Sequence, residues 1–105
     1  MDDIFKRIKA VADRNRLKLI KLLLTNNYCV QALAKKLNIS ESAVSQQLKI
    51  LREVDLVIGE KEGYFVHYTV KTDNLKEIAD YLYKLSDMQN EKNDSNCCQP
   101  NKDRR

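Results

Sequence analysis

The segment VQALAKKLNISESAVSQQLKILREVDLVIG, residues 30–59, constrains the fold more than any other part of the chain. Leu33 and Leu37 fall on one face of a first helix, and Val44, Leu48 and Leu51 recur at i, i+4, i+7 on a second. That spacing lays a buried stripe along a 3.6-residue period. Between the two runs stand Asn38, a common helix terminator, and Ser40, a good N-cap for a helix opening at Glu41. The pattern predicts helices over about 30–37 and 41–54 with a tight polar junction between them, a helix-turn-helix.

The exposed positions of the second helix carry Ser42, Ser45, Gln46, Gln47 and Lys49. Short hydrogen-bonding groups and a cation suit base edges and phosphates in a major groove. After this helix the period changes. Leu56-Val57-Ile58 is a β-type run, Glu60–Gly63 a polar turn, and Tyr64–Val70 an aromatic and β-branched run. A hairpin placed directly after a recognition helix is a wing, which makes Lys61 a phosphate candidate. With Ala43 and Arg52 the expected contact set is Ser42, Ala43, Ser45, Gln46, Gln47, Lys49, Arg52 and Lys61. A solvated or ion-paired Arg52 remains the alternative for that residue.

Further helices are expected on either side. Ile4, Ile8 and Val11 have helical spacing, with Asp2 and Asp3 favouring the helix start through its dipole. Arg14–Thr25 would turn Leu17, Ile20, Leu23 and Leu24 inward, and Asn26-Asn27 breaks it. From Thr72 a last helix aligns Leu75, Ile78, Ala79, Leu82 and Leu85, flanked by Tyr81 and Met88. It is long for a chain of 105 residues, whose own core is modest, so a dimer interface is expected there. The fold class expected is therefore mainly α with a β-hairpin wing: a winged helix-turn-helix of about five helices, homodimeric through its terminal helices. Residues 1–88 form the domain, and 89–105 a polar tail that carries Cys97 and Cys98.

Composition narrows the function classes. Nineteen Lys and Arg against 15 Asp and Glu leave a net charge of +4, compatible with nucleic acid. Two glycines and one proline are too few for a turn-rich all-β fold. No apolar run spans a membrane, and the N-terminus has no apolar segment of signal-peptide length, so a cytoplasmic chain is expected. There is no Ser/His/Asp set, no glycine-rich phosphate loop and no HExxH, so no enzyme is expected. A winged-helix protein-interaction module is the non-DNA alternative, and the polar and basic Ser45, Gln46, Gln47 and Lys49 disfavour it.

Ala12-Asp13, Arg16-Leu17, Tyr28-Cys29-Val30, Leu33-Ala34, the run Ser42–Arg52, Leu56-Val57 and Glu62-Gly63…Tyr68 together resemble the ArsR/SmtB family of bacterial metalloregulators. The resemblance covers about residues 9–85. It implies a winged-helix homodimer, in most members a repressor, that leaves an inverted-repeat operator when an inducer binds. The chain also departs from the family pattern. Gln31 stands where many members have the second cysteine of a Cys-Val-Cys segment. The only histidine, His67, lies in the wing, so the Asp/His zinc site of the terminal helix is missing. His67 is expected to be an exposed or half-buried strand residue.

Three cysteines remain: Cys29, Cys97 and Cys98. An odd count in a chain expected in a reducing compartment argues against a disulfide framework. Soft thiolates select thiophilic ions, and three of them suit pyramidal As(III) or Sb(III). No resident cofactor is required; such an ion would be the inducer. Cys29 with Cys97 or Cys98 also resembles the layout of family members that answer oxidants or persulfides by cross-linking. A regulator without thiol-based sensing is the third alternative.

Overall fold

A computed structural model describes residues 2–88. The expected tail, with Cys97 and Cys98, lies outside the described residues. Within them the order is α1 (Asp2–Val11), α2 (Arg14–Thr25), α3 (Val30–Leu37), α4 (Glu41–Glu53), β1 (Val57–Glu62), β2 (Phe65–Val70) and α5 (Thr72–Asp87). This is the five-helix winged helix-turn-helix expected from the sequence.

Local chemistry sets the boundaries. Asp13 caps α2 by accepting from the Arg16 backbone N–H at 3.1 Å. Asn38 closes α3 in the left-handed conformation, φ 58°. The Ile39 N–H then donates back to the Ala34 carbonyl at 3.1 Å. Ser40 opens α4, its Oγ accepting from the Ala43 N–H at 3.0 Å. These two caps satisfy backbone groups that the helix ends leave without partners, and they hold the junction of α3 and α4 tight. Asp55, with φ 61°, closes α4 in the same left-handed way, and the Leu56 N–H donates to the Leu51 carbonyl at 3.0 Å.

The core gathers Leu19, Ile20, Leu33, Val44, Leu48, Leu51, Leu56 and Val57, with Ala10, Ala34, Val70 and Ile78 at its edges. The stripe expected on α4 is buried as expected. On α2 the inward face differs from the expected one. Leu19 is fully buried beside Ile20, whereas Leu17 and Leu24 stand 51% and 52% exposed. Leu17 and Leu24 lie on the flank of the stripe 16–19–20–23, outside the surface of α2 that faces α1, α3, α4 and β2.

The wing also differs. β1 runs through the charged residues to Glu62 and pairs antiparallel with β2, Val57 opposite Val70 and Glu62 opposite Phe65. The turn is the two residues Gly63-Tyr64 rather than Glu60–Gly63. Gly63 has φ +65° while Tyr64 does not share the positive φ, so only the first turn position needs glycine. Glu60, Lys61 and Glu62 hydrogen-bond as strand because the hairpin beyond Val57 is exposed, and charged side chains there stay in water. Among the described residues no helix is long and apolar enough to cross a membrane.

Candidate nucleic-acid interface

Burial of Val44, Leu48 and Leu51 fixes the roll of α4, and it turns the opposite side outward. Ser42, Ser45, Gln46, Lys49 and Arg52 are all exposed there. They follow i, i+3, i+4, i+7, i+10, a continuous polar stripe along one helix face. Such a stripe presents hydroxyl and amide groups first and cations toward the helix C-terminus. Ala43 is half-buried at the first turn, where its N–H is held by Ser40. Ser42 Oγ lies 3.3 Å from Ser40 Oγ, within hydrogen-bond reach. Lys61 is exposed on β1, opposite Val66 across the hairpin. Among the described residues Lys49, Arg52 and Lys61 form no ion pair, so Arg52 is solvated, and all three cations are free to meet phosphates.

Gln47 stands apart from this stripe. It is half-buried, and its Oε1 accepts from Arg16 Nη1 at 2.8 Å. Sequence spacing alone grouped it with the exposed residues, and it missed Arg16. The available signal was the place of Arg16 at the head of the inward stripe of α2, where a long cation has to find an acceptor.

Arg7 is a second residue the sequence reading did not single out. Its Nε donates to the Val54 carbonyl at 2.8 Å, and its Nη1 meets Glu77 at 3.2 Å. It thus joins α1, the end of α4 and α5.

Cys29 is exposed at the N-cap position of α3, where its side chain makes no capping bond. It opens on a cavity of about 390 Å³ between the start of α3 and the wing, shared with Tyr28, Glu62, Phe65, His67 and Tyr68. His67 is half-buried, opposite Glu60 in the strand register. Among the described residues no three Cys, His, Asp or Glu side chains gather closely enough to hold a metal ion. Cys29 therefore enters as a single soft donor, and a three-sulfur site would take its other two from outside the described residues.

The hairpin behind an exposed polar recognition helix defines a winged helix-turn-helix DNA-binding protein. The family model described as "Bacterial regulatory protein, arsR family" matches residues 13–58. The transcriptional activator HlyU of Vibrio cholerae is 37% identical over 78 residues, 74% of this chain and 72% of HlyU. The transcriptional repressor SmtB homolog of Synechocystis is 40% identical over 77 residues, 70% of this chain and 58% of that protein. A solution structure of the homodimeric winged helix-turn-helix domain of Mb0332 from Mycobacterium bovis has a TM-score of 0.66 at 25% identity, over 83% of this chain and 81% of that one. This chain belongs to the ArsR family of bacterial transcription regulators.

Proposed function

We propose that this protein is a homodimeric repressor that binds an inverted-repeat operator in the cytoplasm and leaves it when a thiophilic metalloid, arsenite or antimonite, binds its cysteine thiolates. The observation that carries the DNA reading is the exposed stripe Ser42, Ser45, Gln46, Lys49 and Arg52 on a helix whose other side is locked in the core. Ser42, Ser45 and Gln46 supply hydrogen bonds to base edges or phosphates, and Lys49, Arg52 and Lys61 supply salt-dependent phosphate contacts. Two copies related by a two-fold axis would place their α4 helices in successive major grooves.

Support for the dimer comes from α5 and α1. Ile78 is buried within the domain, but Leu82, Leu85 and Met88 beyond it are 49%, 48% and 57% exposed, as is Phe5 on α1 at 60%. So much apolar surface on adjacent helices of a small domain is best covered by a second copy. The homodimeric M. bovis neighbour supports the same arrangement.

Support for the inducer is the exposed Cys29 beside an open cavity, together with Cys97 and Cys98 in the sequence. From Met88 to Cys97 are nine residues, a reach of roughly 30 Å when extended. Coupling of about 1–3 kcal/mol between inducer and DNA would lower operator affinity 5- to 150-fold.

The test begins with selection of a duplex from a random-sequence DNA pool by the full chain. Binding of the selected duplex and a shuffled one is then compared across a salt series. Preference for the selected duplex, weakened by arsenite, supports the proposal. Failure to enrich any duplex refutes DNA recognition, and enrichment indifferent to arsenite refutes the metalloid.

A further inference from the structure

Between Asp13 and Glu41 the chain has no acidic residue and six cations: Arg14, Arg16, Lys18, Lys21, Lys35 and Lys36. The stretch that forms α2 and α3 thus carries more positive charge than the +4 of the whole chain. By contrast α1, α4, β1 and α5 each mix both signs. Arg16 is turned inward, onto Ala10 and Gln47. The other five are exposed, and none forms an ion pair among the described residues.

Three of these exposed lysines share one cleft. Lys18 and Lys21 on α2 and Lys36 on α3 line a space of about 470 Å³, with Leu22 and Leu37 half-buried beside them. Spaces of roughly 300–1,000 Å³ are the size that takes a small organic molecule. Leu22, Leu37 and the aliphatic stems of the lysines give the cleft an apolar lining, and the ammonium groups give it charge. Thr25 also lines it, but donates its hydroxyl proton to the Leu22 carbonyl at 2.9 Å. Lys36 Nζ stands 5.2 Å from the centre of the Tyr28 ring, whose face attracts the ammonium without cancelling its charge.

The cleft is separate from the recognition stripe. Arg16 and Gln47 join α2 to α4 through the inner faces of both helices. Lys18 and Lys21 lie about 200° and 140° around α2 from Arg16, on the side turned away from α4.

We infer that the α2–α3 cleft is a binding site for a small organic anion with an apolar body, its acid group among Lys18, Lys21 and Lys36 and its hydrocarbon on Leu22 and Leu37. A purely polar anion would leave the two leucines without contact. A neutral apolar molecule would leave the ammonium groups facing hydrocarbon, which is costly. The site uses no cysteine and no DNA, so it stands apart from the function proposed above.

The test is a set of amide chemical-shift titrations on the nitrogen-15-labelled full chain. Octanoate and octyl phosphate are the probes. Octanol supplies the body without the charge, and acetate the charge without the body. The expected result is saturable shifts at residues 18–25 and 36–37 with either probe, and binding at least about tenfold weaker for octanol and acetate. Lys18→Gln combined with Lys21→Gln should weaken the probes by about tenfold. Lys84→Gln on α5 should change nothing. All three lysines are exposed, so the unfolding midpoint should hold in both variants.

The inference is overturned if octanol or acetate shifts the same amides as strongly as the probes, or if the double variant binds them like wild type. Shifts centred on the exposed leucines of α5 instead of the cleft overturn it too. A cleft that ignores both probes but responds to poly-L-glutamate belongs to an acidic protein segment, and one that responds only to duplex DNA belongs to the DNA path; either result refutes the small ligand.

Discussion

Arg7 Nε donates to the carbonyl of Val54, 47 residues further on, across 2.8 Å of part-buried space. Val54 is the cap residue of the recognition helix, so this bond pins the end of α4 to α1. A hydrogen bond from a charged donor contributes about 1.5–3 kcal/mol. Arg7→Ala should therefore lower unfolding free energy by about 2 kcal/mol in urea titration. Glu77, the other partner of Arg7, is 62% exposed at its side chain, and exposed pairs contribute about 0–1 kcal/mol. Glu77→Gln should be close to neutral in the same measurement; equal losses in both variants would place the stabilisation in the ion pair instead.

Gln46 is at the centre of the exposed stripe and makes no side-chain hydrogen bond among the described residues. Gln46→Ala should reduce the ratio of selected to shuffled duplex affinity by about 5- to 100-fold. Its affinity for shuffled DNA should stay the same. An unchanged ratio removes Gln46 from the reading set.

Lys49, Arg52 and Lys61 should register in the salt dependence rather than in base preference. Replacing any one with Ala should make the slope of log affinity against log salt shallower by about 1 per protomer. The loss should be the same on selected and shuffled duplexes. A slope identical to wild type shows that the residue in question meets no phosphate.

Leu82 and Leu85 are exposed one and two turns beyond the buried Ile78 on α5. If that strip is the dimer interface, replacing both with Lys removes apolar burial worth roughly 1.5–3 kcal/mol per leucine. Sedimentation equilibrium should then show a dissociation constant raised by at least about a hundredfold. The domain should keep its helical circular dichroism. An unshifted monomer–dimer equilibrium would place the interface elsewhere.

Cys29→Ser should abolish tight arsenite binding if Cys29 supplies one of three sulfurs, as should the double serine variant of Cys97 and Cys98. Both variants should still bind the selected duplex, now without release by arsenite. If wild type binds no arsenite, persulfide or peroxide treatment followed by intact mass decides the redox reading. A cross-link between Cys29 and a tail cysteine supports it, and unmodified, DNA-bound protein points to a regulator without thiol sensing.

Much of this molecule was legible from spacing because its elements are locally determined. The helix-turn-helix follows from a 3.6-residue apolar stripe, and from two residues, Asn38 and Ser40, whose capping bonds reach only three or four residues along the chain. The wing was legible as a strand pair, but not its turn. The charged segment Glu60–Glu62 resembled a loop, although its backbone pairs with Phe65–His67. On α2, Ile20 and Leu23 turn inward as expected but Leu17 and Leu24 do not, because an apolar-rich helix carries more leucines than its neighbours can cover, and only packing selects Leu19 over those two.

The sequence by itself determined the order of elements, the buried face of α4 and hence which side chains α4 turns outward, because backbone propensity and apolar periodicity act between residues close in the chain. Tertiary structure alone decided the fates of Arg7, Arg16 and Gln47. Their hydrogen bonds join residues 47, 70, 6 and 31 positions apart, and no local pattern encodes which acceptor a long cation reaches once the helices pack. That is why Gln46 and Gln47, neighbours of one residue type, part ways: a rotation of about 100° along the helix puts one in water and the other against Arg16.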